Sequence, residues 1–156
     1  MRDVYKNIFV GKEEDCRFGQ GDWVVIHACK YPCHRKAVGY TKRISPDHPN
    51  YLFLREGQNL YLNIIDPDKP YFMNPLFTET LEFCKEFINT DKKILFHCNQ
   101  GDSRAPSLAL LHLSKNLNVI SDSSYESAAA EYKKLDPLYN PGLGIKTYLK
   151  QHWHEF

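Results

Sequence analysis

The chain has almost no charge of one sign to spare: 20 Lys and Arg stand against 19 Asp and Glu, a formal net charge of +1. That balance argues against gripping a nucleic-acid backbone or an anionic membrane, since both call for a basic surplus. Long apolar runs are missing too. Stretches such as Leu108–Leu113 fall far short of the ~20 residues that a membrane span needs. The opening Met1-Arg2-Asp3-Val4-Tyr5-Lys6 is polar and charged, unlike a signal peptide. No repeat, low-complexity tract or linker interrupts the sequence, so residues 1–156 read as one domain. The five cysteines, Cys16, Cys29, Cys33, Cys84 and Cys98, are an odd number, and without a secretory signal they are expected as reduced thiols. These absences lead to the expectation of a cytoplasmic domain with no nucleic-acid or membrane partner. They leave its oligomeric state open.

What is present is globular: 42% hydrophobic and 25% charged residues, with ten Tyr and nine Phe. A core at this length buries roughly 70% of the unfolded chain's surface, so no metal or disulfide staple is required. Asn7–Gly11, the β-branched and aromatic run Trp23–Ala28, and Asn59–Ile65 read as strands. Lys30–Asn50, rich in Pro, Gly, Lys and His, has no readable shape. Phe77, Leu81, Cys84 and Ile88 recur at helical spacing from a start near Asn74-Pro75. Ile94-Leu95-Phe96 is a short buried strand, and Leu108–Leu117 is apolar enough for a buried helix. Tyr125–Leu135 and Gly144–His154 complete an α/β rhythm, with a short mixed or parallel sheet flanked by helices. Cys84, Tyr148 and Trp153 fall on apolar faces and read as packing.

Between the strand ending at Phe96 and the next helix lies His97-Cys98-Asn99-Gln100-Gly101-Asp102-Ser103-Arg104-Ala105-Pro106-Ser107. A loop in that position is an anion site, because successive N–H groups and a helix N-terminus converge on one oxyanion. Gly101 allows a turn that a Cβ would obstruct. With five residues between them, Cys98 and Arg104 can close around one phosphate, held by the guanidinium fork as Lys could not hold it. The dipole, the amides and Arg104 all favour the Cys98 thiolate.

The string HCNQGDSRAP resembles the HCxxGxxR signature of the protein tyrosine phosphatase superfamily, most closely the small dual-specificity phosphatases, compact bacterial and phage-encoded ones included. The resemblance extends from about Asn7 to Lys115, and it implies a three-layer phosphatase fold with the phosphate-binding loop between a central strand and a helix. It also implies a cysteine-dependent phosphomonoester hydrolase, a protein tyrosine or dual-specificity phosphatase, with no cofactor or metal. Cys98 is then the nucleophile, Arg104 and the amides of Asn99, Gln100, Gly101, Asp102 and Ser103 hold the phosphate, and His97 supports the loop. The general acid of the family maps to Asp66, 32 positions upstream of Cys98, with Asp68 as its competitor. Partners would be a phosphorylated protein or a small phosphomonoester.

Three features depart from the family pattern or lie outside it. Many relatives carry Ser or Thr directly after the arginine, where this chain has Ala105. Ser103 and Ser107 are nearby but not in that slot. Slower breakdown of a phosphocysteine follows. Asp102 places a negative charge at the mouth, which disfavours polyanionic substrates such as phosphoinositides. The segment His27–His34 holds His27, Cys29, Cys33 and His34, which invites a zinc reading. Its spacing fits no recognised finger, so no metal is assigned. A strand end and a loop where His34, Arg35 or Tyr40 shape substrate entry is the alternative. Rival functions are a phosphatase of small molecules or nucleotides, a catalytically weak phospho-binding pseudophosphatase, which Ala105 keeps alive, and rhodanese-like sulfur transfer.

Overall fold

A computed structural model describes residues 1–156. Six strands form one mixed sheet: β1 (Arg2–Tyr5), β2 (Ile8–Gly11), β3 (Trp23–His27), β4 (Phe53–Glu56), β5 (Asn59–Leu62) and β6 (Lys93–His97), in the order β1-β2-β6-β3-β5-β4. The four central strands run parallel, and antiparallel β1 and β4 close the edges. The helices are α1 (Arg35–Val38), α2 (Asn74–Lys85), α3 (Arg104–Leu111), α4 (Tyr125–Leu135) and α5 (Leu143–His152). None is long and apolar enough to cross a membrane.

Strand alternation divides the molecule into two faces. Val10, Val24, Ile26, Leu60, Leu62, Ile94 and Phe96 point to one side, into an apolar cluster shared with α2, α3, α4 and α5. His27, Tyr61 and His97 point to the other, where residues 30–38 form a thin cover around Cys29, Cys33 and Tyr61. Parallel registry sets His27 beside His97 and beside Tyr61, so the three rings form a row across the sheet.

The α/β architecture is the one expected, with local differences. The edge strands β1 and β4 were not legible, because RDVY and FLRE are short, partly exposed and carry charges where a core strand would be apolar. The strand expected over Asn59–Ile65 ends at Leu62; beyond it Ile64 is buried but Ile65 is half exposed as the chain leaves the sheet. Ile88 lies past the end of α2. The buried helix begins at Arg104 rather than Leu108, and its last turn widens over His112–Asn116.

Candidate active site

β6 delivers His97 and Cys98 to its C-terminal end, and α3 begins six residues later at Arg104. Cys98 is almost fully buried, and the Gly101 N–H donates to its Sγ at 3.2 Å. Gly101 has φ +79°, and a Cβ there would stand 2.8 Å from the Gly11 carbonyl oxygen. Glycine is therefore required twice, for the left-handed turn and for the close approach of β2. No side chain caps α3. The natural candidate, Ser103, instead accepts the Gly142 N–H on its Oγ at 2.8 Å. The α3 N–H groups thus stay available to an anion.

The Arg104 guanidinium curls across the loop. Its Nη2 donates to Asn99 Oδ1 at 2.8 Å and its Nη1 to the Ile64 carbonyl at 3.3 Å. Its Nε is buried, has no hydrogen-bond partner, and lies 4.0 Å from Asp66 Oδ2. Asn99 is a clip as well as a neighbour: its Nδ2 donates to the Glu13 carboxylate at 3.2 Å and to the Tyr31 carbonyl at 3.0 Å. The Gln100 side chain faces solvent, and the Asp102 side chain is half-buried. The Asp102 carbonyl accepts the Asn140 N–H at 2.8 Å. Ala105 is buried, and the Ser107 hydroxyl is engaged with Tyr139 Oη at 3.2 Å.

Asp66 sits beside Arg104 and against Gly142, where a Cβ would meet its Oδ1 at 2.6 Å. Asp66 and Asp68 are both exposed, and of the two Asp66 is the one beside Arg104. Two supports had no signal in the sequence. Arg2, on the edge strand β1, donates its Nη2 to the Gly101 carbonyl at 2.6 Å while a bidentate pair with buried Asp136 fixes its guanidinium. The segment Asn140–Gly142 braces the loop from the other side. Neither could be found without knowing that β1 and the turn before α5 reach this corner of the fold.

His97 is buried with its Nε2 2.8 Å from His27 Nδ1, and its own Nδ1 has no partner. The cysteine–histidine grouping differs from the contiguous one considered above. His27 and Cys33 remain, but their companions are Cys16 and His97. His34 instead meets Tyr40 Oη at 3.0 Å and the Asn50 carbonyl at 2.9 Å, fully buried, so it cannot shape substrate entry. Cys16 and Cys33 lie 3.8 Å apart.

No family model matches the chain. It is 25% identical over 92 residues to the tyrosine-protein phosphatase vhp-1 of Caenorhabditis elegans, covering 59% of this chain and 14% of that protein. It is 24% identical over 104 residues to the human dual specificity protein phosphatase 9, covering 66% of this chain and 27% of that one. The chain thus spans about a seventh and about a quarter of these relatives' lengths. In fold it is similar to human DUSP28, with a TM-score of 0.62 at 15% identity over 97% of this chain and 94% of that one.

Proposed function

We propose that this chain, a small dual-specificity phosphatase-like member of the protein tyrosine phosphatase superfamily, hydrolyses phosphomonoesters through a phosphocysteine, with phosphoproteins modified at tyrosine, and at serine or threonine, as substrates. The observation that carries this is the gathering of donors in one loop: the Gly101 N–H on Cys98 Sγ, the uncapped start of α3 and the unpartnered Arg104 Nε. Such preorganised donors stabilise the charge that spreads over the equatorial oxygens during phosphoryl transfer.

In the first step the Cys98 thiolate forms the S–P bond as the P–O bond to the leaving group breaks, and Asp66 gives its proton to the departing oxygen. In the second, Asp66 takes a proton from water as the water oxygen attacks phosphorus. The S–P bond breaks and inorganic phosphate and the thiolate are regenerated. The position of Asp66 beside Arg104 favours it over Asp68 for this role. An apolar groove lined by Tyr51, Leu52, Ile65, Tyr71, Phe72 and Met73 runs up to the residue before Asp66, which suits an aromatic or peptide substrate.

Turnover of a phosphotyrosine peptide against pH, by wild type, Cys98→Ser and Asp66→Asn, tests the reading. Cys98→Ser should abolish turnover. Asp66→Asn should lose about 10²–10⁴-fold and the pH limb that belongs to the acid. Wild type that binds the peptide without turning it over would make this a phosphate-reading scaffold instead.

A further inference from the structure

On the sheet face opposite the helices, four ligating atoms meet: Cys16 Sγ, His27 Nδ1, Cys33 Sγ and His97 Nε2, all within 4.8 Å of one another. They come from four separate places: the loop after β2, the end of β3, the turn before α1 and the end of β6. The geometry points to a closed, structural zinc site built from these four side chains.

The distances are those of a tetrahedron's edges. Zn–S near 2.3 Å and Zn–N near 2.0–2.1 Å place two sulfurs about 3.8 Å apart, sulfur and nitrogen about 3.6 Å, and two nitrogens about 3.3 Å. Observed are 3.8 Å for Cys16–Cys33, 3.7 Å for Cys16–His27, 4.0 Å for Cys33–His97 and 2.8 Å for His27–His97. These four pairs lie within about half an ångström of the tetrahedral edges, and the remaining two lie within 4.8 Å. The chemistry suits zinc as well, because two thiolates and two imidazoles form a soft, charge-balanced donor set.

A second observation lies one shell out. Asn59 Oδ1 accepts the Gly19 N–H at 2.6 Å, and Asn59 Nδ2 donates to the carbonyls of Gly19 and Glu56, so the orientation of the amide is settled. His27 Nε2 lies 3.1 Å from that same Oδ1 and must therefore carry the proton. This leaves His27 Nδ1 as an unprotonated lone pair facing the other three side chains. A ligating histidine whose other ring N–H is held by a carbonyl is the arrangement metal sites use to fix tautomer and ring angle. Tyr61 stacks on His27 at 4.3 Å and holds its ring plane. Cys16 is exposed and borders an open cleft with Pro32, Cys33 and Lys36, which gives an ion a way in.

The site would brace the phosphate loop from beneath. His97 immediately precedes Cys98. The Cys16 loop begins at Glu13, whose N–H donates to the Asn99 carbonyl, and Cys33 lies two residues from Tyr31, whose carbonyl accepts from Asn99. The zinc site does not depend on the phosphatase reading, and its test reads metal rather than turnover.

The experiment is zinc content of the protein purified under reducing conditions, together with Co²⁺ titration of the chelator-treated protein followed by visible absorption. Wild type should hold one zinc per chain and give the intense d–d bands of tetrahedral cobalt with sulfur-to-metal charge transfer. Cys16→Ser and Cys33→Ser should each lower the metal content about tenfold or more. Cys98→Ser should keep it. Because Cys16 is exposed, Cys16→Ser tests the site even if Cys33→Ser folds poorly. A wild type that takes up neither zinc nor cobalt overturns the proposal, whether its Cys16 and Cys33 are free or joined as a disulfide. Metal that survives both cysteine substitutions overturns it too.

Discussion

His97 and Cys98 are consecutive, yet strand alternation sends them to opposite faces of the sheet and into two different kinds of site. Cys98 faces a site made mostly of backbone: a loop within one short stretch of chain, a left-handed glycine and the start of a helix. His97 faces a site made wholly of side chains gathered from 82 residues of sequence, Cys16 to His97, and held together by sheet register. A backbone site is specified by conformation, so it tolerates little change in the loop but much outside it. A side-chain site is specified by tertiary placement and is sensitive wherever one of its segments is anchored.

The largest expected effect comes from forcing a side chain onto the backbone site. Gly101→Ala meets a positive φ and the Gly11 carbonyl, and should cost at least about 2 kcal/mol of stability. Loss of loop geometry should lower kcat/KM about 10²-fold. Denaturant melts and phosphopeptide kinetics measure both, and a variant of wild-type activity would show that the loop is not held by this turn.

Histidines sharpen the contrast between the faces. On the helix side His112 is buried beside Phe96, and burial alone pulls it down from 6.5 to about 4. The unfolded chain therefore binds a proton that the native chain refuses between those values. The stability owed to neutral His112 is complete above about pH 6.5 and is lost as the pH falls toward 4, by about 3 kcal/mol in all. Urea melts between pH 7 and pH 4 should show this loss, and His112→Gln should flatten it. A wild-type curve that is already flat would contradict the assignment.

Arg2→Ala should destabilise the chain by about 2–3 kcal/mol, because it leaves Asp136 buried and unpaired as well as releasing the Gly101 carbonyl. Adding Asp136→Asn should restore stability but not turnover, which separates the ion pair from the bracing of the loop. Equal recovery of both would remove Arg2 from the site.

Smaller effects belong to the loop's own departures. With Ala105 after the arginine and Ser107 engaged by Tyr139, no hydroxyl is ready to aid breakdown of the phosphocysteine. A pre-steady-state burst of released phenol is expected, and Ala105→Ser should shrink it while raising kcat severalfold, on the order of 1 kcal/mol. Asp102→Asn should raise kcat/KM for an inositol polyphosphate about two- to fivefold, the scale of one screened surface charge, and leave a phosphotyrosine peptide unchanged. Equal changes on both substrates would show that Asp102 does not select.

Much of the backbone site was legible because it is local. Cys98, Gly101 and Arg104 lie within one loop, and the apolar runs on either side announce the strand and helix that hold it. Asp66 became a candidate only through the resemblance, since an aspartate before proline is a common turn residue. The supports were not legible: Arg2 reaches Gly101 from an edge strand whose sequence reads as a polar terminus, and Asn140–Gly142 return from beyond α4. The contiguous group His27, Cys29, Cys33 and His34 shares only His27 and Cys33 with the one that the structure assembles. Spacing along the chain describes a finger, whereas these ligands come together across strands.

By itself the sequence determined the α/β class, the buried strands, the positions of most helices and the place of the Cys98–Arg104 loop between a strand and a helix. Hydrophobic period and loop composition act over a few residues and are written in order along the chain. Only the tertiary structure decided which face His97 occupies, that His27 stands beside it, and that Cys16 and Cys33 complete the group. Those facts follow from strand order and register, which depend on how the whole apolar face is buried and on no single stretch of residues.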